Sequence, residues 1–183
     1  DGKKQSEYYK RKELDNAVYN AYVGKLAKEK KLTVSRTEID NYITSTVNTK
    51  SISLEAYEKT VLRNYFDWSL DEYRDVVRDE LLARKVGFAI DSDAKKRAED
   101  IAKRAGAGDF AAIAKAESDD LATKAVGGDI GALPLESQDV SGLIAAAKRM
   151  KEGQVSSPIQ GVDGYYIIKL TKKTDTTVQF SQI

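Results

Sequence analysis

The sequence predicts an α+β protein in which an all-helical N-terminal segment is followed by a smaller domain that mixes helices with a sheet. Through about residue 85, apolar residues recur at the spacing of amphipathic helices, between stretches rich in Lys and Glu. After Gly87 the chain contains glycine-dense turns and short alternating apolar runs, which are typical of strands. We therefore expect two domains in the 183 residues, 1–88 and 89–183.

Four helices are predicted in the first domain. The first spans about residues 4–30 and is expected to bury Leu14, Val18 and Tyr22 on one face. A serine followed three residues later by a glutamate marks a capping box, since the two side chains satisfy the free amides of a helix start. Such pairs open the second and fourth helices at Ser35–Glu38 and Ser69–Glu72.

Eight of the ten tyrosines lie in this helical half. Their rings could pack between helices with the hydroxyl groups at the rim, or they could bind unfolded apolar segments of another polypeptide. Packing is the favoured interpretation, and exposure of several rings on one face would favour the other.

The second domain begins with two helices, capped by Asp91 or Ser92 and by Asp109. A glycine-rich turn at 127–131 then enters a strand, and Asp129 is expected to stabilise that turn through its own side chain. The remaining predicted elements are a helix over 140–150, strands over 155–159 and 165–170, a turn at 161–164 that joins them, and a strand over 178–183.

The composition excludes several kinds of chemistry. The chain has no histidine and no cysteine, which excludes thiol nucleophiles, Ser–His triads and imidazole or thiolate metal sites. We therefore expect neither a metal nor a cofactor. Because 30 Lys and Arg residues balance 29 Asp and Glu residues, no net field favours nucleic acid as a partner.

Two features bear on location. The absence of cysteine favours a compartment in which free thiols would be oxidised, and no apolar run is long enough to span a bilayer. The first residues do not form a signal peptide. We expect an extracytoplasmic protein, in the periplasm or at the outer face of the cytoplasmic membrane, that is secreted or held by an anchor outside this sequence.

Five motifs follow one another in the second domain between residues 91 and 172. They are Ala107-Gly108-Asp109-Phe110, Glu117-Ser118-Asp119-Asp120, Gly127-Gly128-Asp129-Ile130-Gly131, Lys151-Glu152-Gly153-Gln154-Val155-Ser156-Ser157-Pro158-Ile159 and Gly164-Tyr165-Tyr166-Ile167-Ile168-Lys169-Leu170. In this order they resemble the parvulin (PpiC/rotamase) domain, and the preceding helices resemble the helical segment of SurA-type and PrsA-type foldases.

The resemblance implies a four-stranded antiparallel sheet with surrounding helices and a shallow apolar groove that accepts a prolyl residue. In such domains two histidines and a nearby Cys or Asp form a polar cluster beneath the groove. Asp120 matches the Cys or Asp position, and Tyr166 stands where the second histidine would be, so these two are the candidate catalytic residues.

The first histidine belongs on an opening strand, and two segments could supply it. Residues 86–90 are the sequential choice, which would place Phe88 or Gly87 at that position. Alternatively, the last residues of the chain supply the strand and place Gln182 there, in which case residues 86–90 extend the fourth helix. Both alternatives stay open at the level of sequence.

The resemblance also assigns the groove. Ile130, Leu143 and Met150 are expected to contact the substrate, together with Phe88 or Gln182. Gln138 stands near one position of the apolar wall, where its amide would not pack against a pyrrolidine ring.

The expected function is peptidyl-prolyl cis-trans isomerisation in the folding of secreted or envelope proteins. This reaction breaks no covalent bond, because its barrier of about 18–20 kcal/mol reflects lost amide resonance, so it requires no nucleophile. The absent histidines make the activity doubtful, and the alternative is an ATP-independent holdase or scaffold with a weak or inactive parvulin domain. The expected partners are unfolded or proline-containing polypeptides, and a dimer is left open.

Overall fold

The computed structural model describes residues 2–48, 52–137 and 139–183. The chain forms two compact units, residues 1–90 and 91–183. The boundary predicted from the sequence lies two residues earlier, between residues 88 and 89.

The first unit is helical. Its helices are α1 (Gly2–Glu29), α2 (Arg36–Asn48), α3 (Leu54–Tyr57), which continues as a π-helical stretch (Glu58–Phe66), and α4 (Leu70–Ile90). Both capping boxes are confirmed, because the backbone amides of Ser35 and Ser69 donate to Glu38 and Glu72 at 2.8 and 2.7 Å.

The core of the first unit lies between α2, the α3 segment and α4. Ile43, Val47, Leu62 and Val77 are each 1% exposed at its centre. Aromatic side chains border this core, where the rings of Tyr57 and Tyr73 lie 5.8 Å apart.

The buried face predicted for α1 is wrong. Leu14, Val18 and Tyr22 are all exposed, whereas Val23 and Ala27 are buried in a small cluster with Val86 of α4. Sequence periodicity selected residues that are exposed, because packing against α4 involves a different side of the helix and only its last turns.

The second unit contains three helices and five strands among the described residues. They are α5 (Ser92–Ala107), α6 (Phe110–Glu117), β1 (Asp129–Pro134), α7 (Leu143–Arg149), β2 (Ile159–Gln160), β3 (Tyr165–Tyr166), β4 (Ile168–Lys173) and β5 (Thr177–Gln182), with a short 3-10 turn at Lys124–Val126. Asp91 and Asp109 cap α5 and α6 by accepting from the amides of Ala94 and Ala112, as predicted.

The strands are all antiparallel, in a three-stranded sheet of order β1-β5-β4 and a two-stranded pair of β2 and β3. The α+β class with an antiparallel sheet is confirmed, with five strands in two sheets rather than four in one. The predicted strand over 155–159 is reduced to a bridge between Val155 and Lys169 and the short β2. Pro158 contributes to this interruption because proline has no amide to donate to a ladder.

The predicted strand over 165–170 is divided between β3 and β4. The break falls at Ile167, whose amide and carbonyl both pair with Ile183. Ile183 is thereby held in an apolar cluster of the unit, where it is 8% exposed.

Two apolar clusters hold the second unit together. In one, Ala147 of α7 packs with Leu170 and Phe180, each no more than 1% exposed. In the other, Ile167 and Ile183 pack with the α5 and α6 residues Ile101, Phe110 and Ala114. Helices therefore pack on the strands, and this packing holds the strand ends in place.

The C-terminal segment supplies the central strand. β5 lies between β1 and β4, and Ile168 and Asp129 are paired in register with Gln182 and Ser181. Residues 86–90 are the last turn of α4, so the opening strand considered for them is not formed. Of the two alternatives left open by the sequence, the structure shows the one in which the C-terminal segment supplies the strand.

Candidate functional site

The candidate site is centred on Asp120, which follows the end of α6. Its amide donates to the hydroxyl of Ser118 at 3.1 Å, and its carboxylate accepts from the amide of Ala122 at 3.0 Å. The same carboxylate accepts from the Thr123 hydroxyl at 2.5 Å. Asp120 thus has the turn-stabilising role that its sequence context favours, and it has one long-range partner as well.

That partner is Gln182 at the end of β5. Its Nε2 donates to Oδ2 of Asp120 at 2.8 Å, across 62 residues of sequence. The contact depends on the terminal strand, because β5 brings the side chain of Gln182 to Asp120. The structure therefore brings together two residues that the sequence selected separately.

Gly128 allows the strand to approach this closely. Its carbonyl accepts from the Gln182 amide at 2.8 Å, and a Cβ on Gly128 would lie 2.1 Å from the Gln182 carbonyl oxygen. The φ of +83° at Gly128 is also in the region that favours glycine. Both the close approach of Gln182 and the positive φ therefore favour glycine at this position of the glycine-rich motif.

The environment of Asp120 keeps its carboxylate charged. The hydroxyl of Thr123 and the amide of Gln182 both donate to it, and these hydrogen bonds lower the pKa of Asp120 below its usual range against the opposing effect of burial. Because Gln182 cannot titrate, the pair has the same charge throughout the physiological pH range.

Tyr166 lies on β3, where it is half-buried. Its hydroxyl donates to Oδ1 of Asp163 at 2.5 Å. Burial and this hydrogen bond raise the pKa of Tyr166 to about 12, and the charge of Asp120 contributes in the same direction. The tyrosine is therefore a neutral hydrogen-bond donor at physiological pH, within the electrostatic range of Asp120.

The ring of Tyr166 lies against Gly161 in the turn between β2 and β3. A Cβ on Gly161 would come within 2.5 Å of Tyr166 Cε2 and 3.0 Å of Ser141 Cβ. The amide of Val162 donates to the Ser141 hydroxyl at 3.4 Å, which joins this turn to the segment before α7. The turn, the ring and the α7 segment thus form one side of the site.

The predicted groove residues differ in how accessible they are. Leu143 and Met150 are only 7% and 6% exposed and belong to the apolar core beneath α7. Ile130 is half-buried and packs on the same cluster, as does Tyr166. Ile130 is therefore the most accessible of the three predicted groove residues on this cluster.

Two further predicted positions lie elsewhere. Phe88 is part of α4 in the first unit, because the segment that would have carried it into the sheet is helical. Gln138 falls outside the described residues, so its expected place in the wall stays a prediction.

Three residues of this site were missed by sequence reasoning: Thr123, Asp163 and Gly161. Thr123 follows Asp120 by three positions, which is a spacing for local side-chain hydrogen bonds that could have indicated it. Asp163 and Gly161 were assigned only to a turn, and nothing in their pattern indicated that the turn contacts Tyr166. Asp129 has its predicted role, since its carboxylate accepts from the amide of Gly131 at 2.9 Å.

No metal centre is evident in the part of the chain that the structure describes, which contains no group of three or more His, Cys, Asp or Glu residues placed to bind an ion. The described helices include none that is both long and apolar enough to cross a membrane.

Comparison with known families gives one match. The family described as Rotamase, the PPIC-type PPIase domain, matches residues 86–172. The matched range begins inside α4 and ends within β4, so the central strand β5 lies beyond it. No curated protein sequence matches the chain.

Several solved structures are similar to the chain. The peptidylprolyl isomerase PrsA from Bacillus anthracis is 27% identical, with 87% of this chain and 80% of that chain covered and a TM-score of 0.41. PrsA from Bacillus subtilis is 26% identical, with 86% and 68% covered and a TM-score of 0.40. The foldase protein PrsA from Streptococcus pneumoniae is 26% identical, with 90% and 69% covered and a TM-score of 0.38.

Proposed function

We propose, from the match of residues 86–172 to the PPIC-type PPIase family, that the chain is a foldase that binds proline-containing polypeptides and assists their cis-trans isomerisation. The observation that carries the proposal is the hydrogen bond between Asp120, inside the matched range, and Gln182 of β5, which lies beyond it. It joins the two residues that the resemblance to the parvulin domain assigns, with the terminal strand, to the acidic position and to the first histidine position of that family.

Prolyl isomerisation requires only binding interactions from the site. A catalyst must bind the twisted prolyl amide better than the planar one, by holding the ring in an apolar place and by offering hydrogen bonds to the rotating carbonyl or the pyramidal nitrogen. Asp120 and Gln182 supply a fixed charge and an amide, and the Tyr166 hydroxyl, whose hydrogen is donated to Asp163, supplies an acceptor oxygen. Ile130, at the edge of the apolar cluster, is the proposed contact for the ring, with Leu143 and Met150 beneath it.

A second function, that of an ATP-independent holdase or scaffold, is favoured by a specific observation. The sequence has no histidine, and the resemblance assigns Gln182 and Tyr166 to the two histidine positions of the family, where neither residue exchanges protons near neutral pH. Exposed rings in the first unit, such as Tyr19 and Tyr65, would then take part in binding apolar segments.

We further propose that the protein acts outside the cytoplasm, on secreted or envelope polypeptides. The absence of cysteine from the sequence supports this location. A membrane anchor outside this sequence and a dimeric state belong to the same proposal. Labelling of intact cells with a reagent that cannot cross the membrane would test it, and protection of the exposed lysines in intact cells would contradict it.

Isomerase activity is tested by exchange NMR on a proline tetrapeptide in the presence of the full chain. We expect exchange modestly faster than the uncatalysed rate, and a return toward that rate in Asp120→Asn. Asp119→Asn is the matched control, because the neighbouring carboxylate is 87% exposed and pairs with Arg97 on the surface. Binding of the peptide without acceleration would favour the holdase, and absence of both binding and acceleration would contradict the proposed function.

A further inference from the structure

The segment from Ser118 to Gly128, named the 118–128 loop here, has an inverted distribution of polarity. Three of its polar side chains are shielded from solvent: Ser118 is 1% exposed, and Asp120 and Thr123 are partly buried, whereas Asp119 is exposed. Its apolar side chains face outward, with Leu121 84% and Val126 62% exposed. A single exposed leucine is common on protein surfaces, whereas an outward apolar face over buried polar groups is unusual and indicates a contact surface.

The loop is held in this arrangement by its own hydrogen bonds. The amide of Lys124 donates to the Asp120 carbonyl at 2.9 Å, and the amides of Val126 and Gly128 both donate to the Thr123 carbonyl, at 3.0 and 2.9 Å. A Cβ on Gly127 would lie 2.7 Å from Cβ of Ala111, so the end of the loop is packed tightly on α6. The outward face is therefore presented by a constrained backbone, which lowers the entropy cost of binding to it.

Four apolar residues of the loop are exposed. They are Leu121, Ala122, Ala125 and Val126, and together they are named the loop face. They lie on the turns over 121–123 and on the 3-10 turn Lys124–Val126.

We propose that the loop face is a subsite for an aliphatic or aromatic side chain that lies close to the proline of a bound polypeptide. This inference rests on the proposed function, because the loop face begins next to Asp120. An extended polypeptide that presents its proline to Asp120 and Gln182 would carry a neighbouring side chain over Leu121.

The size and bonding of the loop face favour this occupant over others. Two large side chains and two alanines offer far less than the roughly 800 Å² per partner of a standard stable interface, so a second copy of the chain is disfavoured. The amides of Ala122, Lys124 and Val126 already have acceptors within the loop, so the contact would be made through side chains rather than by addition of a strand.

The test compares two proline hexapeptides that are identical except for leucine or serine on both sides of the proline. Each is titrated into the full chain and its dissociation constant is measured by NMR. We expect the wild type to prefer the leucine peptide by about five- to tenfold, and the double variant Leu121→Ser/Val126→Ser to lose most of that preference. The serine peptide should bind the wild type and the variant about equally.

Two controls make the result specific. Val76→Ser removes an apolar side chain that is 44% exposed on α4, and it should leave the preference unchanged. Leu121→Ser alone is measured as well, because so exposed a residue can be replaced without loss of packing, and it should lower the preference by itself.

The outcomes separate this inference from the proposed function. Equal affinity of the wild type for both peptides, combined with loss of binding when proline is replaced by alanine, would overturn the loop-face subsite and leave proline binding intact. A preference that survives in the double variant would also overturn it. Failure of the wild type to bind either peptide would overturn both proposals.

Discussion

At Gly128 the backbone of one segment meets the backbone of another with no room for a side chain. The residue has a φ of +83°, and a Cβ would lie 2.1 Å from the Gln182 carbonyl oxygen. Gly131 has a similar φ of +74°, but a Cβ added there would meet no other atom within 4 Å. Substitutions at these two glycines therefore distinguish the loss of stability that comes from backbone conformation from the loss that comes from a steric clash.

We expect Gly131→Ala to lower the free energy of unfolding by about 1 kcal/mol, from the conformation alone. Gly128→Ala should lower it by at least about 2 kcal/mol more, because the end of β5 must move. Urea unfolding of the full chain measures both values. Equal losses in the two variants would contradict the close approach of Gly128 to Gln182.

The Asp120–Gln182 pair makes a prediction about titration. Replacing Gln182 by Leu removes one of the two side-chain donors that lower the pKa of Asp120, so this pKa should rise toward its ordinary value. A carboxylate whose pKa is lower in the folded protein than in the unfolded protein stabilises the fold at pH values above its unfolded-state pKa. That contribution is lost as the pH falls through its folded-state pKa. The variant should therefore lose less stability on acidification. Carbon-detected NMR titration of the Asp120 carboxyl provides the check, and an unchanged pKa would contradict the hydrogen bond.

The residue types at the site could be predicted only in part. Asp120 and Tyr166 were selected because the resemblance assigns them to positions where the family has polar residues, and in the structure the charge of Asp120 contributes to the raised pKa of Tyr166. Asp163, which accepts from Tyr166, could not be selected, because an aspartate in a glycine-flanked turn has the same pattern whether or not it has a distant partner.

At the scale of elements, α2 and α4 are joined by an ion pair that starts from a helix cap. Glu38, which caps α2 with Ser35, also accepts from Lys85 of α4 at 2.5 Å. Lys85 is the largest cause, and the Ser35 amide the next, of a Glu38 pKa lowered to about 2. One carboxylate thus serves both the helix start and the contact between two helices.

This arrangement predicts a specific dependence on pH. Because the pKa of Glu38 is lowered, its contribution to stability is present above about pH 4.5 and is lost as the pH falls toward 2. Glu38→Gln should be less stable than the wild type at pH 7, and the difference should shrink between pH 4.5 and 2. In a Lys85→Met background, the loss of stability that Glu38→Gln causes at pH 7 should be smaller. Urea unfolding at a series of pH values measures it, and a difference that is independent of pH would contradict the account.

Helix starts were predictable and helix packing was not. The caps at Ser35, Ser69, Asp91 and Asp109 depend on side chains within three residues, so local sequence contains the necessary information. The buried side of α1 depends on its approach to α4, which local sequence does not contain. The central place of β5 was likewise one of two alternatives, because strand order depends on pairing across more than forty residues.

At the scale of the whole molecule, the chain has separate apolar cores in its two units. Leu62 is 1% exposed in the helical core, and Phe180 is 1% exposed in the core of the sheet. The fold class could be predicted because the hydrophobic period changes along the chain, whereas the division of the strands into two sheets depends on interruptions such as Pro158 and Ile167.

Substitutions in these cores should act locally. Phe180→Ala should lower the stability of the second unit by about 3–5 kcal/mol, and Leu62→Ala that of the first by about 2–5 kcal/mol. Hydrogen exchange in the full chain resolves the effect residue by residue. We expect faster exchange in β1, β4 and β5 for the first variant and in α2 and α4 for the second. Uniform acceleration along the whole chain in either variant would contradict two independent cores.

The central claim is that a proline-containing polypeptide binds beside Asp120, Gln182 and Tyr166. Its most direct test is a map of NMR shift changes in the full chain on addition of a proline peptide, compared with the same peptide in which alanine replaces proline. The account predicts that the largest changes fall at these three residues and their neighbours and that they disappear with the alanine peptide. Changes that fall elsewhere, or that are the same for both peptides, would contradict it.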